Sequence, residues 1–212
     1  DRHWDQTAAV ADLLVPFLRA VPASHLDKRW VAESFSRAAA SYDSAARLQR
    51  QVGQNLLAQL TPAPGVWVDL GSGTGQFIEP LKGAAQASAT GQVIALDIAE
   101  GMLRHSRAQQ RPADAWLCAD AEALPLASAS VGGYFSSLAI QWCEQQGRLF
   151  AELLRTLKPG GRLCLATLTE GTLAELASAW QAVDGYVHVN RFESVENIQR
   201  ALEWAGFAGI KI

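Results

Sequence analysis

Three glycines at alternate positions behind a carboxylate are the residues of this chain whose types and spacing most plainly carry chemistry. They stand in Asp69-Leu70-Gly71-Ser72-Gly73-Thr74-Gly75, preceded by the apolar run Val66-Trp67-Val68. The run reads as a buried strand, and the mixed pattern from Gln76 to Lys82 starts a helix. Strand, glycine turn and helix make a nucleotide-binding corner. The glycines permit positive φ and close approach of backbone to a ligand, and the helix start offers unpaired N–H groups. A pyrophosphate cradle favours G-x-G-x-x-G, which is not the spacing here. An acid at the head of the turn suits the cationic amino-acid end of a ligand better than a pyrophosphate.

A second acid follows where such a site needs one. Gly91 to Asp97 reads as the next strand, and Asp97 lies 22 residues after Gly75, close to the roughly 20-residue offset at which a carboxylate meets a ribose diol. The alternative for Asp97 is a helix-capping turn acid. The pattern Asp-x-Gly-x-Gly-x-Gly followed by this acid resembles motif I of the class I S-adenosylmethionine-dependent methyltransferases. On that resemblance the cofactor is S-adenosyl-L-methionine, and Asp69, Gly71, Gly73, Gly75, Asp97 and Ile98 form its first contacts. Met102, early in a helix over Glu100–Gln110, packs on an adenine or on the sheet. Trp116 to Asp120 is a third strand. Asp120 there can accept from an exocyclic amine, and Ala121 can donate a backbone N–H to a ring nitrogen. Ligands of open α/β sheets sit beyond the carboxyl ends of the strands. Ser137, Gln141 and Trp142, after a fourth strand at Val131–Leu138, therefore face the methyl donor.

The elements that must position these residues alternate along the chain. Asp27 to Leu60 reads as two helices. Tyr42 at the end of Phe35–Asp43 can close a pocket with its ring or pack in the core. Residues 28 to 50 carry five basic side chains against two acids, a solvated face or a docking surface for an acidic partner. Leu149–Leu157 is a helix stopped by Lys158-Pro159-Gly160-Gly161, Arg162–Leu168 is a fifth strand, Leu173–Val183 a helix, and Ser194 caps a helix that carries Val195, Ile198 and Leu202. Gly206 to Ile212 starts one more strand. The alternation predicts an α/β fold, a doubly wound, mostly parallel sheet.

Composition sets the limits. The chain has 212 residues, 49% hydrophobic and 18% charged, with a net charge of −3. That length suits one globular domain and the charge gives no bulk grip on nucleic acid. Cys118, Cys143 and Cys164 lack metal or disulfide spacing and read as reduced, mostly buried thiols of a cytoplasmic protein. The longest uncharged run, Ala123–Cys143, holds Pro125 and two glycines, which argues against a membrane span. Asp1–Val21 carries a helical apolar stripe and falls outside the main pattern. It faintly resembles the closing helix of an α/β-hydrolase, so residues 1–27 read as a helical extension or the remnant of an upstream domain, and 28–212 as the methyltransferase domain. The chain starts at Asp1 and stops in an apolar stretch at Ile212, so both ends look cut from something longer.

Six strings occur in one order: Phe35…Ala39…Tyr42…Leu48-Gln49; Asp69–Gly75; Asp120-Ala121-Glu122-x-Leu124-Pro125-Leu126; Ser137-Leu138-Ala139-Ile140-Gln141-Trp142-Cys143; Lys158-Pro159-Gly160-Gly161; and Asn190-Arg191-Phe192. Over roughly residues 28 to 212 the chain resembles the malonyl-acyl-carrier-protein O-methyltransferases of biotin synthesis. Ser137 departs from the Asn frequent there. The resemblance implies methyl transfer to the free carboxylate of a malonyl group on acyl-carrier protein, and relatives that add a final strand absent here. A carboxylate acceptor calls for a cationic clamp, for which Arg191 is the candidate unless it pairs with Glu193 or Glu196. The acceptor is already ionised at neutral pH, so Tyr42, Gln141 and Trp142 act by positioning, without a catalytic base or a metal. Methylation of another small carboxylic acid or of a quinone-like carbon, or cofactor binding without turnover, are the alternatives.

Overall fold

The computed structural model describes residues 27–86, 91–172, 174 and 192–212. Five strands, β1 (Val66–Leu70), β2 (Val93–Asp97), β3 (Ala115–Cys118), β4 (Val131–Ser137) and β5 (Leu157–Ala166), form one sheet. Its order is β3-β2-β1-β4-β5 and every pairing is parallel. Around it stand α1 (Lys28–Ala45), α2 (Arg47–Ala58), α3 (Ile78–Gln86), α4 (Glu100–Ala108), α5 (Gln146–Thr156) and α6 (Val195–Ala205). The doubly wound α/β expectation is met.

β1 is central because its sequence is apolar on both faces. Val68 and Leu70 enter one core with Leu149, Phe150 and Leu153 of α5 and Ile198 and Leu202 of α6. Trp67 enters the other with Ile78 and Leu81 of α3 and Leu103 of α4. Two-sided burial is the signature of a parallel strand between helical layers. Trp67 is fully buried, and its indole N–H donates to the Ala63 carbonyl at 3.0 Å. The neighbouring strand makes room for that ring with Gly133, where a Cβ would fall 2.5 Å from the indole. A third, smaller cluster joins Ala39 of α1 to Ala99 and Met102, with Phe35 and Tyr42 packed on it. It fastens α1 over the carboxyl end of the sheet.

Four expectations need correction. Phe207–Ile212 forms no strand. Gly206 and Gly209 both have positive φ, which breaks an extended run, and Phe207 instead packs edge-on to Phe150 with centroids 6.4 Å apart. Lys158-Pro159-Gly160-Gly161 does not stop α5; the helix ends at Thr156 and the four residues run inside β5. β3 ends at Cys118, before Asp120. The cysteines are free, but Cys118 is exposed and the other two only half-buried. The predicted helix over Leu173–Val183 lies outside the described residues apart from Ala174, as does the extension 1–26. Among the described residues no helix is long and apolar enough to cross a membrane.

Candidate functional site

The strand order reverses between β1 and β4, and a ligand of such a sheet sits at that switch point, beyond the strand tips. A cleft opens there. Its floor is Leu70, Gly71 and Gly73 at the end of β1, and Asp97 and Ile98 at the end of β2; Ala119 to Ala121 and Ser137 to Ile140 close the sides. Lys28, Val31, Phe35 and Tyr42 of α1 form a roof. The sequence-predicted Gly71, Gly73, Asp97, Ile98, Met102, Asp120, Ala121, Ser137, Tyr42 and Trp142 all line this one cleft.

Asp97 organises the floor. One carboxylate oxygen accepts the Gly73 N–H at 2.8 Å, and the other accepts the Ala99 N–H at 2.8 Å. The first bond fixes the glycine turn and the second the start of α4. The carboxylate keeps lone-pair capacity for a ligand hydroxyl. Gly71 must be glycine for two reasons: its φ is +72°, and a Cβ there would fall 2.2 Å from the Ala139 methyl.

Asp69 is buried directly before the cleft-lining Leu70 and does not itself line the cleft. Its Oδ2 has no hydrogen-bond partner among the described residues. Burial first, and the charge of Asp97 second, push its carboxyl up from 3.8 to about 8. Burial also raises Asp97, against the N–H groups of Ala99, Gly73 and Ile98, which lower it. Two buried acids so close together disfavour each other's ionisation, and a cation brought between or beside them relieves that cost. The orphaned Asp69 oxygen, the buried Ser137 hydroxyl that also lacks a partner, and the diol-competent Asp97 fit a nucleoside with a positively charged amino-acid tail.

Two further predicted residues stand off the cleft. Gly75 does not line the cleft; a Cβ there would meet Ser106 Oγ at 2.4 Å and Ile78 Cδ1 at 2.7 Å, so its role is to let the turn pack on α4 and α3. Gln141 is also off the cleft. Its amide donates to the Leu138 carbonyl at 2.8 Å and accepts from the Thr167 hydroxyl at 3.3 Å. Both carry the site from behind. Asp120 does line the cleft, with its carboxylate engaged by the Lys28 ammonium at 2.7 Å and the Glu122 N–H at 2.9 Å. Arg191 lies outside the described residues.

Sequence reasoning missed the roof contacts. Lys28 bridges Asp120 and Glu122, the latter at 2.9 Å. Burial pulls its ammonium down, but hydrogen bonds to both acids outweigh that and raise it, so it stays charged. The buried Glu122 also accepts the N–H groups of Glu144 and Gln145 at 2.6 and 3.1 Å. Asp27 caps α1, accepting the Arg29 N–H at 2.9 Å, and that signal was readable. The partners of Lys28 lie 92 and 94 residues away and had no local signature. Phe35 meets Trp142 edge-on, centroids 5.5 Å apart. Leu138 holds a left-handed φ of +52° on the cleft wall, a strained state for a branched side chain, of order 1–3 kcal/mol.

Residues 68–165 match the methyltransferase domain family. The malonyl-(acyl-carrier protein) O-methyltransferase of Methylococcus capsulatus is 49% identical over 191 residues, covering 88% of this chain and 68% of that protein. The biotin biosynthesis bifunctional protein BioHC of Cellvibrio japonicus is 48% identical over 208 residues, covering 96% of this chain but 40% of its own length. The chain thus spans about two fifths of the one relative and two thirds of the other. A Thermotoga maritima S-adenosylmethionine-dependent methyltransferase, described as a possible histamine N-methyltransferase, superposes with a TM-score of 0.63 at 25% identity, covering 82% of this chain and 79% of that one. With its cleft at the switch point and this degree of identity, the chain belongs to the malonyl-(acyl-carrier protein) O-methyltransferase family.

Proposed function

We propose that this chain methylates the free carboxylate of a malonyl thioester carried on acyl-carrier protein, in the synthesis of biotin. The observation that carries the reading is the identity of 49% over most of the chain with a relative named for that reaction. S-adenosyl-L-methionine, when bound, supplies a methyl carbon on a sulfonium whose departure leaves a neutral thioether.

The protein's own residues have a limited task. Asp97 accepts from the ribose diol, Asp69 balances the cationic tail, and Gly71 and Gly73 let the backbone close on the ligand. Asp120 and Ala121 stand where a base edge reaches them, and Met102 and Ile98 give apolar walls. The acceptor carboxylate is ionised at neutral pH, as small carboxylic acids titrate near pH 4. No residue need remove a proton. Burial, then Asp97 and Asp43, raise the Tyr42 hydroxyl far above its ordinary range, so it stays protonated and is no base. Burial, then Glu122, pushes the Cys143 thiol up to about 12, so it is no nucleophile. What remains is alignment of oxygen, carbon and sulfur, and exclusion of water by the α1 roof. Arg191 is the proposed clamp on the acceptor carboxylate. Residues 1–27 fit an upstream domain's remnant, a reading supported by the longer match to the bifunctional relative, 208 residues against 191.

The test is a panel of acceptors with labelled methyl donor: malonyl-carrier protein, free malonate, other small acids and a quinone. Label entering a base-labile ester on malonyl-carrier protein supports the reading. Label on a carbon acceptor alone, or donor binding without any product, overturns it.

A further inference from the structure

Asp43 sits on α1 next to Tyr42 and does not line the cleft. Its Oδ1 accepts from the Thr74 hydroxyl at 2.5 Å and from the Gln76 side-chain amide at 2.6 Å. Its Oδ2 lies 3.7 Å from the Arg111 guanidinium. Thr74 is buried and stands between Gly73 and Gly75, in the middle of the turn that floors the cleft. One carboxylate on the roof helix is therefore bonded to two side chains of the segment that carries the glycine turn. Hydrogen bonds to an ionised acceptor are about twice as strong as neutral ones, and both converge on a single oxygen.

The turn is held from two sides. Asp97 takes the Gly73 N–H from the cleft side, and Asp43 takes the neighbouring Thr74 side chain from the other. Gly73 itself has φ +52° and would place a Cβ in open space, with nothing within 4 Å among the described residues. Packing therefore does not hold the turn at that point, and the polar bonds must. Tyr42 and Asp43 are adjacent, so the residue that lines the cleft wall and the one that grips the floor move as one.

We propose that Asp43 is a positioning residue for the methyl-transfer site. Through Thr74 and Gln76 it fixes the glycine turn under the donor, and through its place on α1 it sets the Tyr42–Phe35 roof at a defined height above that turn. The role rests on the reading of the cleft as the donor site, and the experiment separates the two. Calorimetry with S-adenosylhomocysteine and with S-adenosylmethionine is run on the wild-type chain, Asp43→Asn, Thr74→Val and the double variant. Thermal unfolding of each without ligand is measured in parallel.

Asp43→Asn is expected to weaken donor binding by about tenfold or more. Thr74→Val, which leaves Asp43 intact, is expected to do the same in part. The double variant should lose less than the sum of the two single losses, since Asp43→Asn weakens and Thr74→Val removes one shared interaction. A merely structural role would lower the unfolding temperature and leave the dissociation constant within about twofold of wild type, or give fully additive losses; either result overturns the proposal. Should Asp43→Asn not fold, Thr74→Val decides by the same criterion. A wild-type chain that binds neither ligand overturns the donor-site reading and this role with it, whereas wild-type binding with an unaffected Asp43→Asn overturns this role alone.

Discussion

Asp69 gives the sharpest quantitative expectation, because its carboxyl is buried, partly unpartnered and raised to about 8. In the unfolded chain the group titrates near 3.8. Between these values the folded protein holds a proton that the unfolded chain has released. The stability this group contributes is therefore fully present below about pH 4, falls as pH rises, and is lost by about pH 8. The slope is at most about 1.4 kcal/mol per pH unit. Asp69→Asn keeps the shape and removes the titration. From about pH 5.5 to pH 7.5, the variant should therefore gain on the wild type by up to about 3 kcal/mol. In a chain of this size that is roughly 6–12 °C of unfolding temperature, at 2–4 °C per kcal/mol. The assay is thermal unfolding by circular dichroism without ligand at the two pH values. Parallel wild-type and variant curves would refute the reasoning. A ligand cation seated by Asp69 should reverse the balance, so donor binding near neutral pH should release a proton, seen as buffer-dependent binding heats, and Asp69→Asn should abolish that release.

Three further expectations follow from the same geometry. Asp97→Ala loses its bonds to Gly73 and Ala99 and any bond to the ligand diol; calorimetry should show donor binding weakened by about 1–3 kcal/mol, and an unchanged dissociation constant removes Asp97 from the site. Gly71→Ala places a methyl 2.2 Å from the Ala139 Cβ at a φ of +72°, so denaturant unfolding should show a loss of about 2–4 kcal/mol, and an unshifted midpoint would contradict the packing described. Arg191→Ala should raise the acceptor KM or lower turnover while donor affinity holds; equal activity in steady-state kinetics counts against the clamp.

The sheet and the cleft floor were legible in the sequence because they are built from local signals. Val66–Leu70 is apolar on both faces, and acids at Asp69 and Asp97 end two such runs. The roof was not. Lys28 and Asp43 look like any charges on a solvated helix until the fold brings Asp120, Glu122 and Thr74 to them. For Gly75 the motif spacing says only that glycine is needed, and the packing reason, Ser106 and Ile78, is supplied by the fold. The final strand failed for a related cause: Ile210-Lys211-Ile212 has strand composition, but two positive-φ glycines and the docking of Phe207 on Phe150 prevail over propensity.

The most direct measurement is a crystal structure of the chain with S-adenosylhomocysteine. The expected result is the nucleoside in the cleft between Gly73 and Met102, its ribose hydroxyls on Asp97 and its amino-acid end towards Asp69 and Ser137. A ligand bound in any other cavity, or bound here with Asp97 turned away from the ribose, would contradict the account.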